Sequence, residues 1–278
     1  MSDLQSVQHE AAPRAADGLS RALRTARGSL FFVIWIPYLL LLAAPVQRLL
    51  LWPAVLLFPS RRASWTGAWL RAQGRFVFWL ATHTAGVRLE VRGALPAGPL
   101  VAVMNHQSVL DIPLVYSLFH GVPPVIPTRE RYRRSIPFVS PLLRLARFPF
   151  LSQRPRDLDR DLETLRDAAD RVARGEQSLL LFAEGHRSRD GRIGPFMRAG
   201  PRLIVARSGR PVYTIVADGM WGARTFTDAL AALGGSRVTV VISGPFPPPP
   251  ADHADQFLDQ LRDRMIADLD DLRRAPRA

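Results

Sequence analysis

No cysteine occurs in this 278-residue chain, which excludes disulfides, thiolate nucleophiles and thiolate metal ligands. Lysine is absent too: all 37 basic residues are arginine. That removes a Walker-type phosphate loop, whose lysine reaches the phosphates, and any Schiff-base chemistry. A Gly-x-Ser-x-Gly elbow is missing, so the usual setting for a serine nucleophile is gone as well. No His-Glu-x-x-His or comparable cluster suggests a metal ligand set.

Acidic residues are outnumbered, 24 against 37, and the formal charge is +13. Such a balance points to nucleic acid or to an anionic membrane surface. The arginines are spread along the chain and no nucleic-acid module is present, so the membrane surface is the expected partner. A hydrophobic content of 47% excludes a disordered chain.

Residues 1–20 are polar and Ala-rich and read as a poorly ordered tail. Residues 21–84 read as a membrane-binding helical segment. Arg21, Arg24 and Arg27 precede a stretch from Gly28 to Gln47 with no charge, long enough to cross a bilayer as a helix. After Arg48 the chain is apolar again to Phe58, and Arg61-Arg62 closes the segment. Pro37, Pro45, Pro53 and Pro59 argue against one straight helix. Arginine at both flanks fits two cytoplasmic ends, hence a bent or re-entrant hairpin, with a single span as the rival reading. A buried hairpin covering a soluble domain is the third; Trp35, Tyr38 and Trp52 suit a membrane interface better.

From about residue 85 to 278, strand-like and helix-like stretches alternate. They predict an α/β domain with a mixed, largely parallel sheet flanked by helices. Val87–Arg92 alternates as a half-buried strand; 100–104, 122–127, 148–153, 178–182, 211–217 and 237–243 read as further strands. A basic helical segment is expected from Arg129 to about Arg147, broken by Pro137 and Pro141. Leu158, Leu162, Leu165, Ala169 and Val172 mark an amphipathic helix, residues 201–208 another, and Leu258 to Leu272 a C-terminal one.

Two stretches carry chemistry. Asn105-His106-Gln107-Ser108-Val109-Leu110-Asp111 follows the apolar run Leu100–Met104, placing a histidine where a strand ends and a carboxylate five residues on. A neutral imidazole can take a proton from a hydroxyl, and a carboxylate on its other nitrogen fixes the tautomer and steadies the imidazolium. This is a serine-hydrolase triad without its nucleophile, so the substrate must bring the hydroxyl. The alternative for Asp111 is a plain helix cap. The second stretch, Phe182-Ala183-Glu184-Gly185-His186-Arg187-Ser188, also follows an apolar run, Ser178–Leu181.

Taken together, Asn-His-x4-Asp and Phe-x-Glu-Gly-x-Arg-Ser resemble the motif pair of the glycerolipid acyltransferases, over roughly residues 85 to 220. The resemblance implies His106 as general base and Asp111 as its partner. It places Arg154, Glu184, Gly185, Arg187 and Ser188 at the acceptor, with Arg154 and Arg187 on a phosphate. Ala183 stands where the family usually has Pro, and His186 where Thr or Ser is usual. For His186 a binding or packing role is preferred over that of a second base, because no carboxylate follows at matching spacing.

The expected reaction moves a fatty acyl group from a thioester, acyl-CoA or acyl-carrier protein, to the free hydroxyl of 1-acyl-glycerol-3-phosphate. No bound cofactor is expected. The implied location is the cell inner membrane, with the catalytic domain on the cytoplasmic side. A different lysolipid acceptor, such as a lyso-ornithine lipid or a lysophospholipid, is the second reading. A non-catalytic basic membrane-binding scaffold is the third.

Overall fold

The computed structural model describes residues 12–223 and 225–274. It opens with α1 (Ala12–Pro37), α2 (Ala44–Val46) and α3 (Trp52–Leu57), joined end to end by π-helical turns at Tyr38–Ala43 and Gln47–Leu51. The segment is thus helical to Leu57 but interrupted by π turns rather than one regular α-helix. Pro45 and Pro53 begin α2 and α3, and the widened π turns before them absorb the ring that would clash with a regular turn. Helix ends only at Phe58, whose φ of −126° and ψ of 70° leave the helical region that the following Pro59 disfavours. The tail expected over 1–20 is corrected in part. Residues 12–20 belong to α1, and residues 1–11 lie outside the described residues.

Past Arg61 the chain turns back as α4 (Arg62–Leu80), so the N-terminal segment is a helical hairpin. Its arms meet where Gln73 Nε2 donates to the Tyr38 hydroxyl at 3.0 Å and the Tyr38 and Phe76 rings lie 4.1 Å apart. Ser20–Leu57, 38 residues, is long and apolar enough to cross a membrane by length and composition. Both ends of its apolar part nevertheless rest on the rest of the protein. At Gly28 a Cβ would stand 2.1 Å from Leu230 O, so only glycine permits that approach. Gln47 Nε2 donates to Phe138 O at 3.1 Å, and Arg48 Nη2 to Pro137 O at 3.4 Å. Gly28 and Arg48 are about 30 Å apart along the helix at ~1.5 Å per residue. The helix therefore lies along the domain. Its other face shows Val33, Leu41, Leu49, Leu50, Leu57 and Phe58 to the outside.

The remaining elements are β1 (Arg88–Arg92), β2 (Val101–Met104), α5 (Asp111–Leu118), β3 (Pro124–Val125), β4 (Thr128–Arg129), α6 (Val139–Leu145), β5 (Phe150–Leu151) and α7 (Leu158–Ala173). After them come β6 (Ser178–Leu181), α8 (Ala199–Arg207), β7 (Val212–Asp218), α9 (Phe226–Ala232), β8 (Arg237–Phe246) and α10 (Ala254–Arg274). Six strands form one sheet in the order β1-β8-β7-β2-β6-β3, parallel throughout except between β7 and β8. The mixed, largely parallel sheet is as expected. Strands β2 and β6 are buried along their whole length, which is why they read as unbroken apolar runs. Helices flank the sheet: α4 packs on α5 and α1 on α9, while α8 packs on both α7 and α10.

Several expected elements are shorter or different, each for a local reason. The strand expected at 122–127 is only Pro124–Val125, and that at 148–153 only Phe150–Leu151. Pro123, Pro124, Pro127 and Pro149 have no N–H to give a ladder. β5 also lies outside the main sheet and pairs with β4 in a separate two-stranded sheet. Between Arg129 and Arg147 there is no single helix: a 3-10 turn at Glu130–Arg133 precedes α6. Pro137 biases Ile136 away from helix, whereas Pro141, third residue of α6, sits where no intrahelical N–H bond is needed. β1 is an edge strand and mostly exposed rather than half-buried. Helix α9, not among the expected elements, has apolar residues at helical spacing (Phe226, Ala229, Leu230, Leu233) and opens on a capping box between Thr225 and Asp228.

Candidate active site

Parallel pairing of β2 with β6 brings the two motif stretches together. Val103 lies opposite Leu181, so His106 and Glu184, each three residues beyond, leave the sheet side by side. Phe182 stacks on the imidazole of His106, ring centroids 4.0 Å apart at 18°. Across the motif, Ser188 N–H donates to His106 O at 2.6 Å, and His106 N–H donates to Glu184 Oε1 at 3.1 Å.

Asp111, the first residue of α5, is fully buried. Its Oδ2 lies 2.7 Å from His106 Nδ1 and also accepts the N–H groups of Gln107 at 2.6 Å and Ser108 at 2.8 Å. A helix N-terminus favours the negative charge. Facing a carboxylate that can only accept, Nδ1 carries the imidazole proton, which leaves the Nε2 lone pair as a base. Asp111 is not a helix cap: Leu110 holds that position without a side-chain cap bond, and the carboxylate instead bonds the His106 ring and the upstream N–H groups. The nearby serines offer no free nucleophile. Ser108 Oγ donates to Ala223 O and accepts from Leu110 N–H, while Ser188 Oγ bonds Arg192 O at 2.8 Å and Asp190 at 3.2 Å.

Glu184 is 2% exposed, and its second oxygen accepts Gly194 N–H at 2.8 Å. Its carboxylate thus staples the 188–194 loop to the motif backbone. Gly185 has φ +73°, and a Cβ there would meet Met197 Cγ at 3.2 Å. Burial pushes the Glu184 carboxyl above its ordinary 4.5, against the opposing pull of the Gly194 and His106 N–H groups and of the charges of His186 and His106. The folded state then holds the proton more tightly than the unfolded chain. Stability contributed by Glu184 therefore falls as pH rises from 4.5 through the raised value. The Glu184→Gln variant lacks this titration. The difference in Tm between wild type and E184Q is expected to move against wild type across that window; a flat difference from pH 4 to 8 would refute the shift.

Two further residues hold the site in place. The Asn105 side chain acts as an extra peptide group: Nδ2 donates to Ala217 O and Oδ1 accepts Ala217 N–H, both at 2.8 Å, extending the β2–β7 ladder. Asp161, on the helix read as plainly amphipathic, accepts Ser152 N–H at 2.9 Å and Gln153 N–H at 2.8 Å, fixing the turn before Arg154. Nothing in the periodicity of α7 distinguishes this aspartate from its neighbours.

Of the expected site residues, His106, Asp111, Glu184 and Ser188 are joined by direct hydrogen bonds. Arg187 is half-buried beside them, and His186 is exposed. Arg154 follows β5 and opens into a separate cleft of ≈ 810 Å³, lined by Arg129, Arg131, Arg156 and Arg160 among others. His106, Glu184 and Arg187 do not line that cleft. The Ser152 hydroxyl, and then the charges of Arg160, Arg156 and Arg154, hold the Asp157 carboxyl there below its usual range.

Residues 87–218 match the family model described as Acyltransferase. Over 250 residues the chain is 30% identical to a 1-acyl-sn-glycerol-3-phosphate acyltransferase of Chlamydomonas reinhardtii, covering 87% of this chain and 69% of that protein. The chain belongs to the glycerolipid acyltransferase family. Another family member, the 1-acyl-sn-glycerol-3-phosphate acyltransferase of Pseudomonas aeruginosa, is 31% identical over 148 residues, 51% of this chain. That match spans about half (53%) of the relative's own length. The acyltransferase fold is shared with the crystal structure of the 1-acyl-sn-glycerophosphate (LPA) acyltransferase, PlsC, from Thermotoga maritima. The TM-score is 0.66 at 19% identity, over 91% of this chain and 97% of that one.

Proposed function

We propose that this acyltransferase moves a fatty acyl group from a thioester to the free hydroxyl of 1-acyl-glycerol-3-phosphate, giving phosphatidic acid. The observation that carries the reading is the His106–Asp111 pair at the end of β2, with the hydroxyls of Ser108 and Ser188 already bonded to backbone carbonyls. His106 Nε2 takes the hydroxyl proton as the oxygen attacks the thioester carbon. Asp111 holds the imidazolium that forms. The carbon–oxygen bond forms, the carbon–sulfur bond breaks, and the leaving thiolate takes the proton back. The donor is acyl-CoA or acyl-carrier protein, and acyl transfer is direct. Arg187 beside the motif holds the acceptor phosphate and so keeps the hydroxyl near Nε2, whereas Arg154 in its separate cleft is not assigned to that phosphate.

Membrane association fits the lipid substrates. The exposed leucines of the N-terminal helix would enter the acyl region of one leaflet. Arg48, Arg133, Arg134 and Arg144, which line a pocket of ≈ 520 Å³ beside that helix, would face anionic headgroups. A helix held to the domain at both ends favours lying in the interface over spanning. The cytoplasmic side of the inner membrane is the proposed location.

A different lysolipid acceptor is the second reading, favoured by the exposed His186 next to Arg187. The deciding assay follows labelled acyl-CoA, and separately acyl-carrier protein, onto a panel of lysolipids. Wild type, His106→Ala and Arg187→Ala are compared in membranes. Product on lysophosphatidic acid that vanishes in H106A supports the proposal. Product only on a phosphate-free acceptor keeps the base and overturns the phosphate assignment. No transfer with either donor returns the protein to a scaffold role.

A further inference from the structure

The last turn of α10 is remote in sequence from the catalytic motif, yet it grips the motif's support. Arg273 Nε donates to Asp218 Oδ2 at 3.1 Å and Nη2 to Oδ1 at 2.9 Å, a two-pronged pair with the last residue of β7. The same Nη2 donates to Gly191 O at 2.7 Å. Gln107 reaches these two acceptors from the other side, its Nε2 lying 3.3 Å from Asp218 Oδ1 and 3.4 Å from Gly191 O. Gln107 is buried, and its own N–H is one of those that hold Asp111 Oδ2. Gly191 belongs to the loop that gives Ser188 N–H to His106 and Gly194 N–H to Glu184. Gly191 has φ +77°, and a Cβ there would stand 3.0 Å from Arg273 Nη2, so a larger residue would press on the guanidinium.

We infer that Arg273 is a positioning residue for acyl transfer. Through Asp218 and Gly191 it fixes the Gln107 side chain and the 188–194 loop, and with them the angle at which His106 meets Asp111 and the acceptor hydroxyl. Side-chain exposures of 32% for Arg273 and 19% for Asp218 leave the pair only a modest share of fold stability. Its value lies in orientation: a planar fork that makes two bonds to a carboxylate and a third to a carbonyl leaves little freedom. The inference rests on His106 being the base.

The test uses the full chain in detergent or membranes, comparing Arg273→Ala, Arg273→Lys, Asp218→Asn and His106→Ala. Arg274→Gln is the control, because Arg274 pairs with exposed Asp271. The kcat of R273A is expected to fall about 10- to 100-fold, the scale of a small misplacement of a reacting group. Added guanidinium ion should recover part of it with saturation, and R273K should lie between. The downfield imidazole proton of His106, identified by its loss in H106A, should shift or broaden in R273A and return with guanidinium. R274Q should match wild type in every readout. A folded R273A with kcat within about twofold of wild type would overturn the inference, as would an unchanged imidazole proton. Should R273A not fold, D218N decides by the same readouts. An H106A protein with wild-type activity sinks the base assignment and this inference together. An inactive H106A beside a normal R273A sinks this one alone.

Discussion

Replacing His106 by alanine is expected to lower kcat by about 10²- to 10⁴-fold, the usual worth of a positioned general base. The fold should survive. The ring's main packing contact is its stack on Phe182, worth about 0.5–1.5 kcal/mol beyond buried area, and its side chain is 17% exposed. The backbone bonds of residue 106 to Glu184 and Ser188 do not depend on the side chain. Steady-state transfer to whichever lysolipid the acceptor panel selects, alongside thermal unfolding, checks both halves. Activity within tenfold of wild type in a folded H106A would mean that another group takes the proton.

At Asp111 the two effects cannot be separated by alanine. Its Oδ2 is the shared acceptor of His106 Nδ1–H and two backbone N–H groups, and the residue is fully buried. Asp111→Ala strands those donors at a cost of about 1–3 kcal/mol each. That is a large part of the roughly 5–15 kcal/mol that holds a domain folded, so D111A is expected to be poorly folded as well as inactive. Asp111→Asn is the informative change. One amide oxygen can still accept, which preserves most of the loop, but a neutral amide does not stabilise the imidazolium. A loss of about 10⁴-fold in kcat is expected, as when a triad aspartate is amidated. A folded D111N that keeps a tenth of wild-type activity would reduce Asp111 to its structural place at the helix start.

Much of this site was legible before any coordinates. His106 and Glu184 each follow a short apolar run, and each run is a buried central strand. A strand's end points its loop out of the sheet, so the two motifs announce their shared place at the carboxyl edge of the sheet. Elements bounded by proline were read less well, at 122–127, 129–147 and 148–153. Apolar composition suggests strand there, but a missing N–H ends a ladder that composition cannot see. The N-terminal prolines lie beside π turns, which let the helix continue past them without being one regular α-helix.

The sequence by itself determined the α/β class, the two chemistry-bearing stretches and the five-residue spacing of His106 and Asp111, because all of these are local patterns; the hydrogen bond between the two came with the structure. Only the tertiary structure decided that Glu184 bonds the backbone of His106 across 78 residues, that Arg273 closes on Asp218, and that Arg154 opens into its own cleft. It also decided that the apolar helix lies along the domain, held at Gly28 and Gln47. The reason is physical. Periodicity records which face of an element is buried, whereas strand register and helix docking depend on partners whose distance along the chain leaves no trace in either segment.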